Sequence, residues 1–167
     1  MPEAPKSPEY SRRIGTMFGA MHAVASDDGI TALRFRNDPP QSDSDHPLLD
    51  ELEGWLDRYA RDPRTQMDLP LTPRGTAFER SVWDALLAIP PGETRSYAGI
   101  ARTIGNPNAS RAVGRANGAN PVAILIPCHR VVASDGTLHG YAGGLDAKRA
   151  LLDHERAGSP LFGDARS

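Results

Sequence analysis

The chain has 167 residues and a mass of 18.0 kDa, with 39% apolar and 24% charged residues and a formal net charge of −2. This composition supports a packed core and excludes fibrous, collagen-like and intrinsically disordered chains. No strictly apolar run is longer than the five residues of Val122–Ile126, far shorter than the ~18–20 residues of a membrane helix. The first residues lack the apolar stretch of a signal peptide. We expect a cytoplasmic protein with no membrane partner.

Cys128 is the only cysteine of the sequence. A disulfide within the chain is therefore impossible, and a structural zinc site built from several thiolates is excluded. We predict a reducing, intracellular environment and no metal site.

Charge is distributed unevenly along the chain. Residues 1–74 carry 9 basic and 13 acidic side chains, whereas residues 94–134 carry five arginines and no acid. The five are Arg95, Arg102, Arg111, Arg115 and Arg130. Such a local field can bind phosphates even on a mildly acidic protein, although five arginines over this length also fit an ordinary solvated face.

The first half of the chain has the pattern of a small sheet with one helix. Residues 1–13 are predicted to be a frayed tail, and a β-hairpin is predicted within residues 17–36, with its turn at Asp27–Gly29. The helix that follows is predicted to begin at Asp45 as its cap, with Pro47 in the first turn. Its apolar face comprises Leu48, Leu52, Trp55, Leu56 and Tyr59.

A linker with three prolines, residues 62–74, is predicted to hold a short strand near residues 67–71. A second helix begins after it, because Thr76 and Glu79 form a capping box, and Pro90-Pro91-Gly92 ends it. Its apolar face comprises Phe78, Val82, Leu86 and Ile89.

Two short amphipathic helices follow and are joined by a tight turn. Ser96 caps the first, Gly105–Asn108 forms the turn, and the second carries Arg111 and Arg115 as neighbours one turn apart. Gly114 on the second helix would let its backbone approach a large partner closely. The pattern fits a DNA-binding helix-turn-helix, and equally an ordinary helical hairpin with solvated arginines.

Cys128 follows the run Val122–Ile126, predicted to be a short buried strand, and precedes His129. A neighbouring imidazole raises the fraction of a thiol that is ionised. Because adjacent residues of an extended strand point to opposite sides, the two can cooperate only if the backbone turns there, or through a bridging water. The alternative is a small buried core cysteine.

The last helix is predicted from Asp146, as its cap, to Arg156, with Ala147, Ala150 and Leu151 inward.

Five motifs occur in order along the second half: GTAFERSVW, IPPGETRSYAGIA, NPNASRAVG, IPCHRVV preceded by NPVAILIP, and GYAGGLDAKRALLDHE. In these motifs the chain resembles the O6-alkylguanine-DNA alkyltransferases, which move an alkyl group from guanine O6 onto their own cysteine and are thereby inactivated. The matching motifs follow one another closely from Gly75 to about Glu155, and the similarity is weaker in the N-terminal part, where it is carried by the run GITALRF.

The resemblance implies roles for three residues of the reaction centre. Cys128 would accept the alkyl group. His129 would deprotonate the Cys128 thiol through a water, and Glu155 would orient the histidine. No cofactor is implied.

The resemblance also implies a DNA-binding set. Arg111 would fill the space of the extruded base, Tyr97 would help rotate the nucleotide out and bond the guanine, and Asn120 would be the hinge that ties the recognition helix to the active-site turn. Further contacts are expected from Ala112, Gly114 and Arg115. The partner would be double-stranded DNA bearing O6-alkylguanine, bound through its minor groove by a monomer, with cooperative clustering on DNA left open.

The guanine pocket implied by the resemblance is formed by Val131, Tyr141, Ala142, Gly143 and Lys148. Two positions depart from the family pattern. Ala142 replaces a frequent serine, which removes a hydroxyl contact to O6 while the backbone amide remains, and Pro91 stands where several relatives carry tyrosine.

The implied fold is α/β (α+β), with a small ribonuclease-H-like sheet-and-helix domain followed by a mainly helical domain with a helix-turn-helix. We expect a tail at 1–13, domains at 14–72 and 73–157, and a second tail at 158–167. The expected function is direct-reversal DNA repair on guanine O6 and thymine O4 in a cytoplasmic, nucleoid-associated protein. Two alternatives are a non-catalytic sensor of alkylated DNA and a thiol hydrolase using Cys128, His129 and Glu155.

Overall fold

The computed structural model describes residues 8–36 and 43–158. Within them the chain has a mixed α/β fold: a three-stranded antiparallel sheet, a two-residue parallel strand pair and five α-helices. The predicted tail at 158–167 lies outside the described residues except for its first residue. No helix in the described ranges is both long and apolar enough to cross a bilayer.

The sheet consists of β1 (Tyr10–Thr16), β2 (Gly19–Ser26) and β3 (Gly29–Phe35) in the order β1-β2-β3. The predicted hairpin is confirmed as β2 and β3, which pair from Ser26↔Gly29 outward. The predicted tail is wrong for residues 10–13, which belong to β1. The polar composition of residues 10–13 does not predict a strand. The buried Arg12 is stabilised by partners distant in sequence, among them Asp50 and Glu53 at 2.8 and 3.1 Å.

Helix α1 (Pro47–Arg61) lies against the sheet through an apolar face that is the predicted one except at its start, where Leu49 is buried and Leu48 is half-buried. Its cap is His46, whose Nδ1 accepts a hydrogen bond from the Leu48 amide at 3.1 Å. The predicted cap, Asp45, is wrong by one residue, and its exposed carboxylate instead lies 3.8 Å from Arg12. The buried side chains are Leu49, Leu52, Trp55, Leu56 and Tyr59.

The linker after α1 contains no strand. The strand predicted near residues 67–71 is reduced to one parallel bridge between Leu71 and Ile30. The amide of Ile30 donates to the carbonyl of Pro70 at 2.8 Å, and the amide of Thr72 donates back to Ile30 at 2.9 Å. Pro70 and Pro73 have no amide hydrogen to extend the ladder in either direction.

Three helices follow: α2 (Ala77–Leu87), α3 (Tyr97–Thr103) and α4 (Ser110–Gly118). The capping box of Thr76 and Glu79 and the Ser96 cap are both confirmed. Strand β4 (Arg95–Ser96) pairs in parallel with β5 (Val131–Val132). The indole of Trp83 donates to the carbonyl of Ala116 at 2.8 Å and so fixes α2 against α4.

The apolar run before Cys128 is not the predicted strand. Val122 makes a single parallel bridge to Leu33, and the chain then turns, with the amide of Ile126 donating to Val122 at 3.0 Å. Ile124 takes a left-handed φ of 70°, which is costly for a β-branched residue. Periodicity cannot distinguish a buried strand from a buried turn over five residues, and every residue from 121 to 130 is buried.

Helix α5 (Leu145–Ala157) closes the described chain. Its N-cap is Gly144 at a φ of +92°, not the predicted Asp146, which lies in the first turn. Ala150 is exposed, whereas Lys148 is fully buried, so the inward face is rotated from the one predicted. An aliphatic stem lets a lysine occupy such a position when its amine finds acceptors.

Candidate active site

A tight backbone turn carries the candidate nucleophile. Cys128–Arg130 forms one turn of 3-10 helix, in which the amide of Arg130 donates to the carbonyl of Pro127 at 3.0 Å. Cys128 and His129 are therefore not on opposite faces of an extended strand, and the turn that their cooperation requires is present. All three side chains of the turn are buried.

His129 is fully buried and held by one carboxylate. Its Nε2 lies 2.8 Å from Oε2 of Glu155. An ionised carboxylate only accepts hydrogen bonds, so Nε2 carries the proton and Nδ1 is the free acceptor of the neutral ring. Nδ1 is buried and has no hydrogen-bond partner among the described residues. Burial, which outweighs the attraction of Glu155, lowers the pKa of His129 below its usual value, and the resting ring is a neutral base.

Glu155, in α5, is the hub of a buried polar cluster. Its Oε2 accepts from His129, from Arg130 Nη2 at 2.7 Å and from the Tyr59 hydroxyl at 2.6 Å, while its Oε1 accepts from Arg130 Nε at 2.9 Å. Burial acts to raise the pKa of Glu155, but the hydrogen bonds from Arg130 and His129 outweigh it, and the net pKa is lowered. The carboxylate is ionised and fully paired.

Cys128 opens onto a cavity of about 300 Å³, within the size range of small-molecule sites. Only 6% of the residue is exposed. Burial raises the pKa of the Cys128 thiol, partly offset by a hydrogen bond from Asn120 and by the charge of Lys148. The resting group is therefore the thiol, which needs a base to become a nucleophile.

One wall of this cavity comes from β3 and the other from the loop before α5. Leu33 and Phe35 line it from the sheet, and Tyr141 and Ala142 line it from the loop. The rings of Phe35 and Tyr141 meet edge to face with centroids 5.9 Å apart. Gly143 packs so closely that an added Cβ would lie 2.5 Å from the Phe35 ring. The hydroxyl of Tyr141 is buried and has no partner among the described residues.

The floor of the site is held by two polar side chains that reach backbone groups. Lys148 donates from Nζ to the carbonyls of Val131 at 2.7 Å and His139 at 3.0 Å. Burial lowers the pKa of Lys148, and the neighbouring Cys128 opposes this. Asn120 donates from Nδ2 to Ile126 at 2.8 Å and accepts from the amide of Val122 at 3.0 Å. Asn120 thus spans the turn between α4 and Cys128.

Helix α4 places its arginines on the surface beside this site. Arg111 and Arg115 are exposed, Gly114 and Ala112 are half-buried, and the ring of Tyr97 would lie 3.9 Å from a Cβ at Gly114. Burial, and then the proximity of Cys128, raise the pKa of Tyr97. Tyr97 therefore lies against α4 and close enough to Cys128 to interact with it electrostatically.

Comparisons with known proteins agree with this geometry. The family model for the DNA-binding domain of 6-O-methylguanine DNA methyltransferase matches residues 77–157. A Mycobacterium bovis protein named methylated-DNA–protein-cysteine methyltransferase is 54% identical over 156 residues, covering 90% of this chain and 94% of that protein. The chain belongs to the methylated-DNA–protein-cysteine methyltransferase family.

Solved structures of methyltransferases agree over the whole fold. A crystal structure of Mycobacterium tuberculosis O6-methylguanine methyltransferase aligns with a TM-score of 0.83 and 39% identity, covering 96% of this chain and all of that one. A crystal structure of the Mycobacterium tuberculosis protein in complex with DNA aligns with a TM-score of 0.81 and 40% identity, covering 94% and 99%.

The methyltransferase fold brings together more residues than the sequence pattern selected. The sequence pattern places Arg130 in the basic segment, but its side chain is buried and bonded to Glu155 and to the carbonyl of Ile89 at 2.6 Å. The sequence pattern predicts Tyr59 only as a core residue of α1. Asn117 donates to the Cys128 carbonyl at 3.3 Å. Phe35 ends the GITALRF run, but an apolar residue at the end of a predicted strand does not indicate a cavity wall.

No three His, Cys, Asp or Glu side chains in residues 8–36 and 43–158 lie close enough together to hold a metal ion.

Pro91, one of the two departures from the family pattern, lines a separate cavity on the side of Tyr59 and Arg130. Ala142, the other departure, is exposed at the mouth of the Cys128 cavity.

Proposed function

We propose that this chain repairs alkylated DNA by direct reversal, moving one alkyl group, from O6 of guanine or from O4 of thymine, onto Sγ of Cys128. Membership of the methyltransferase family supports the activity. The observation that carries the assignment of the acceptor is the buried thiol at a cavity of about 300 Å³, beside a neutral His129 held by Glu155.

The proposed reaction uses the free acceptor atom of His129. The thiol proton of Cys128 passes through a water to Nδ1, and the sulfur attacks the alkyl carbon in line with the C–O6 bond. The S–C bond forms as the C–O6 bond breaks, the guanine takes the electron pair, and the proton that His129 accepted passes through water to the guanine. The sum converts thiol and O6-alkylguanine into thioether and guanine, with no cofactor and no second turnover.

Duplex DNA hides O6 from any thiol on the protein, so the nucleotide must leave the stack. We assign α3 and α4 as a helix-turn-helix that binds the minor groove, with Arg111 filling the vacated space and Tyr97 bonding the base. The exposure of Arg111 and Arg115 and the position of Tyr97 support these roles. Gly114 and Ala112 leave room for the backbone of DNA, and Asn120 is assigned as the hinge.

The pocket assignment extends to the loop and to α5. Val131, Tyr141, Ala142 and Gly143 are proposed to contact the extruded guanine, and Lys148 to hold the Val131 carbonyl in place. The cavity lining supports the roles of Tyr141 and Ala142. The bond from Lys148 to the Val131 carbonyl supports the role of Val131, and the close packing of Gly143 on Phe35, which lines the cavity, supports that of Gly143. We further propose two domains that meet near residue 72, the first ribonuclease-H-like, in a monomeric cytoplasmic protein associated with the nucleoid.

Intact-protein mass spectrometry after incubation with an O6-methylguanine duplex tests the proposal. We expect one methyl group per molecule, on Cys128, and no second event at any excess of DNA. An unchanged mass with retained DNA binding would support the sensor alternative instead, and repeated turnover of an ester would support the hydrolase. Neither alternative uses both the buried thiol and the exposed Arg111.

A further inference from the structure

Tyr59, on α1, reaches the reaction centre from a part of the chain remote in sequence. Its hydroxyl donates to Oε2 of Glu155 at 2.6 Å, across 96 residues. This is the same oxygen that accepts from Nε2 of His129 at 2.8 Å. Tyr59 is 1% exposed, and Glu155 is equally buried. Charge-assisted hydrogen bonds in such a site are stronger than those between neutral groups.

Packing alone does not explain the hydroxyl. The Tyr59 ring stacks on Trp55 with centroids 5.1 Å apart and meets Phe18 and His154 at 5.9 and 5.3 Å. A phenylalanine would make the same ring contacts. The hydroxyl adds a third donor to Oε2, after His129 and Arg130 Nη2 at 2.7 Å. Each donor withdraws charge from the oxygen that faces the histidine.

We infer that Tyr59 is a positioning residue for alkyl transfer, which acts through Glu155 to keep His129 neutral, with Nδ1 free to accept the thiol proton. This inference rests on the proposed function. A carboxylate that is fully engaged by other donors orients His129 without drawing a second proton onto the ring. The α1 helix thereby contributes to the polar cluster around Glu155, whose other members are His129 and Arg130.

The groups around His129 determine in which direction its proton affinity changes when the Tyr59 hydroxyl is removed. Glu155 favours the protonated ring, whereas Arg130 from the same turn and Lys148 from α5 oppose it. Cys128 directly precedes His129 in the chain, and Tyr59 interacts with the His129 ring only through Glu155. Removal of the hydroxyl leaves more charge on Oε2, which favours protonation of His129. The neutral base is then available only at higher pH.

The test is the pH dependence of the transfer rate in Tyr59→Phe, with free O6-benzylguanine as the substrate so that DNA binding plays no part. We expect the acidic limb of the profile to move to higher pH, with a rate at pH 6 lowered by about threefold or more, and a rate at pH 9 within about twofold of wild type. A merely structural role would lower the rate at every pH and leave the inflection in place.

Trp55→Phe is the matched control, because it weakens the packing of the same ring and leaves the hydroxyl. It should lower the melting temperature without moving the inflection. Incorporation of 3-fluorotyrosine at position 59 keeps the ring and makes the hydroxyl a stronger donor, so it should move the inflection to lower pH. This second variant retains the folded structure if Tyr59→Phe does not.

Superimposable profiles for wild type and Tyr59→Phe would overturn the inference, as would equal shifts in Tyr59→Phe and Trp55→Phe or a shift to higher pH with 3-fluorotyrosine. Failure of the proposed function is distinguishable from these outcomes, because the wild-type protein would then acquire no benzyl group at any pH.

Discussion

Leu33 of β3 and Val122, six residues before Cys128, form a parallel β-bridge. The Leu33 amide donates to Pro121, and its carbonyl accepts from the amide of Ala123, both at 2.9 Å. The sheet therefore fixes the backbone from which the active-site turn begins, and Phe35, two residues on, becomes a wall of the cavity.

The contact of Phe35 with Gly143 leads to a prediction about the cavity wall. Gly143→Ala would place a Cβ 2.5 Å from the ring, so the loop or the ring must move, and transfer from free O6-benzylguanine should slow. Phe35→Leu in the Gly143→Ala background should restore part of the rate. Single-turnover rates of the four proteins form a double-mutant cycle, and additive effects would contradict a direct contact.

Cys128→Ser should abolish alkyl transfer, because a serine hydroxyl is a far weaker nucleophile than a thiol of similar size. Affinity for an O6-methylguanine duplex, measured by fluorescence anisotropy, should stay within about twofold of wild type. Phosphate contacts dominate the affinity for DNA, and Cys128, which is 6% exposed, contributes little to them. Loss of both properties would contradict a role confined to accepting the alkyl group.

Arg111→Ala should slow repair of duplex DNA by about tenfold or more, because extrusion costs a few kcal/mol and the variant cannot fill the gap in the stack. Reaction with free O6-benzylguanine requires no extrusion and should be unchanged. Arg149→Ala is the control, since Arg149 is also exposed but lies on α5. Equal losses on the two substrates would argue against a finger at Arg111.

Glu155→Gln should reduce the free energy of unfolding by about 3–5 kcal/mol at neutral pH, because it leaves the buried Arg130 guanidinium without its counter-charge. The exposed Glu93, paired with Arg95 at 3.2 Å, provides the control, and Glu93→Gln should change stability by under about 1 kcal/mol. Urea unfolding followed by circular dichroism measures both.

The same carboxylate predicts a pH dependence of stability. The pKa of Glu155 is lowered in the folded protein, so its contribution is complete above the unfolded value of about 4.3 and is lost as pH falls below it. The stability difference between wild type and Glu155→Gln should therefore narrow below about pH 4. A difference that stays constant down to pH 3 would show that Glu155 is not held ionised.

Local sequence signals determined much of this protein. The capping box at Thr76 and the Ser96 cap depend on contacts within a few residues, and both predictions are confirmed. Helical spacing likewise predicts α1 to α4, with Leu49 buried in place of Leu48 and with Ile89 beyond the end of α2. The motif around Cys128 identified the family for the same reason, because its residues are adjacent in the chain. Errors occurred where a neighbour one residue away could cap equally well, as with Asp45 and His46.

Tertiary structure alone decided the arrangement of the reaction centre. In the sequence, Tyr59 fits the pattern of a core aromatic residue and Arg130 that of a basic segment. Only the folded chain brings both side chains to Glu155. The strand from Tyr10 and the buried turn at Ile124 were likewise hidden, because each is stabilised by distant partners. Hydrogen bonds between residues far apart in sequence leave no periodicity, so the burial and pairing that set proton affinities follow only from the folded chain.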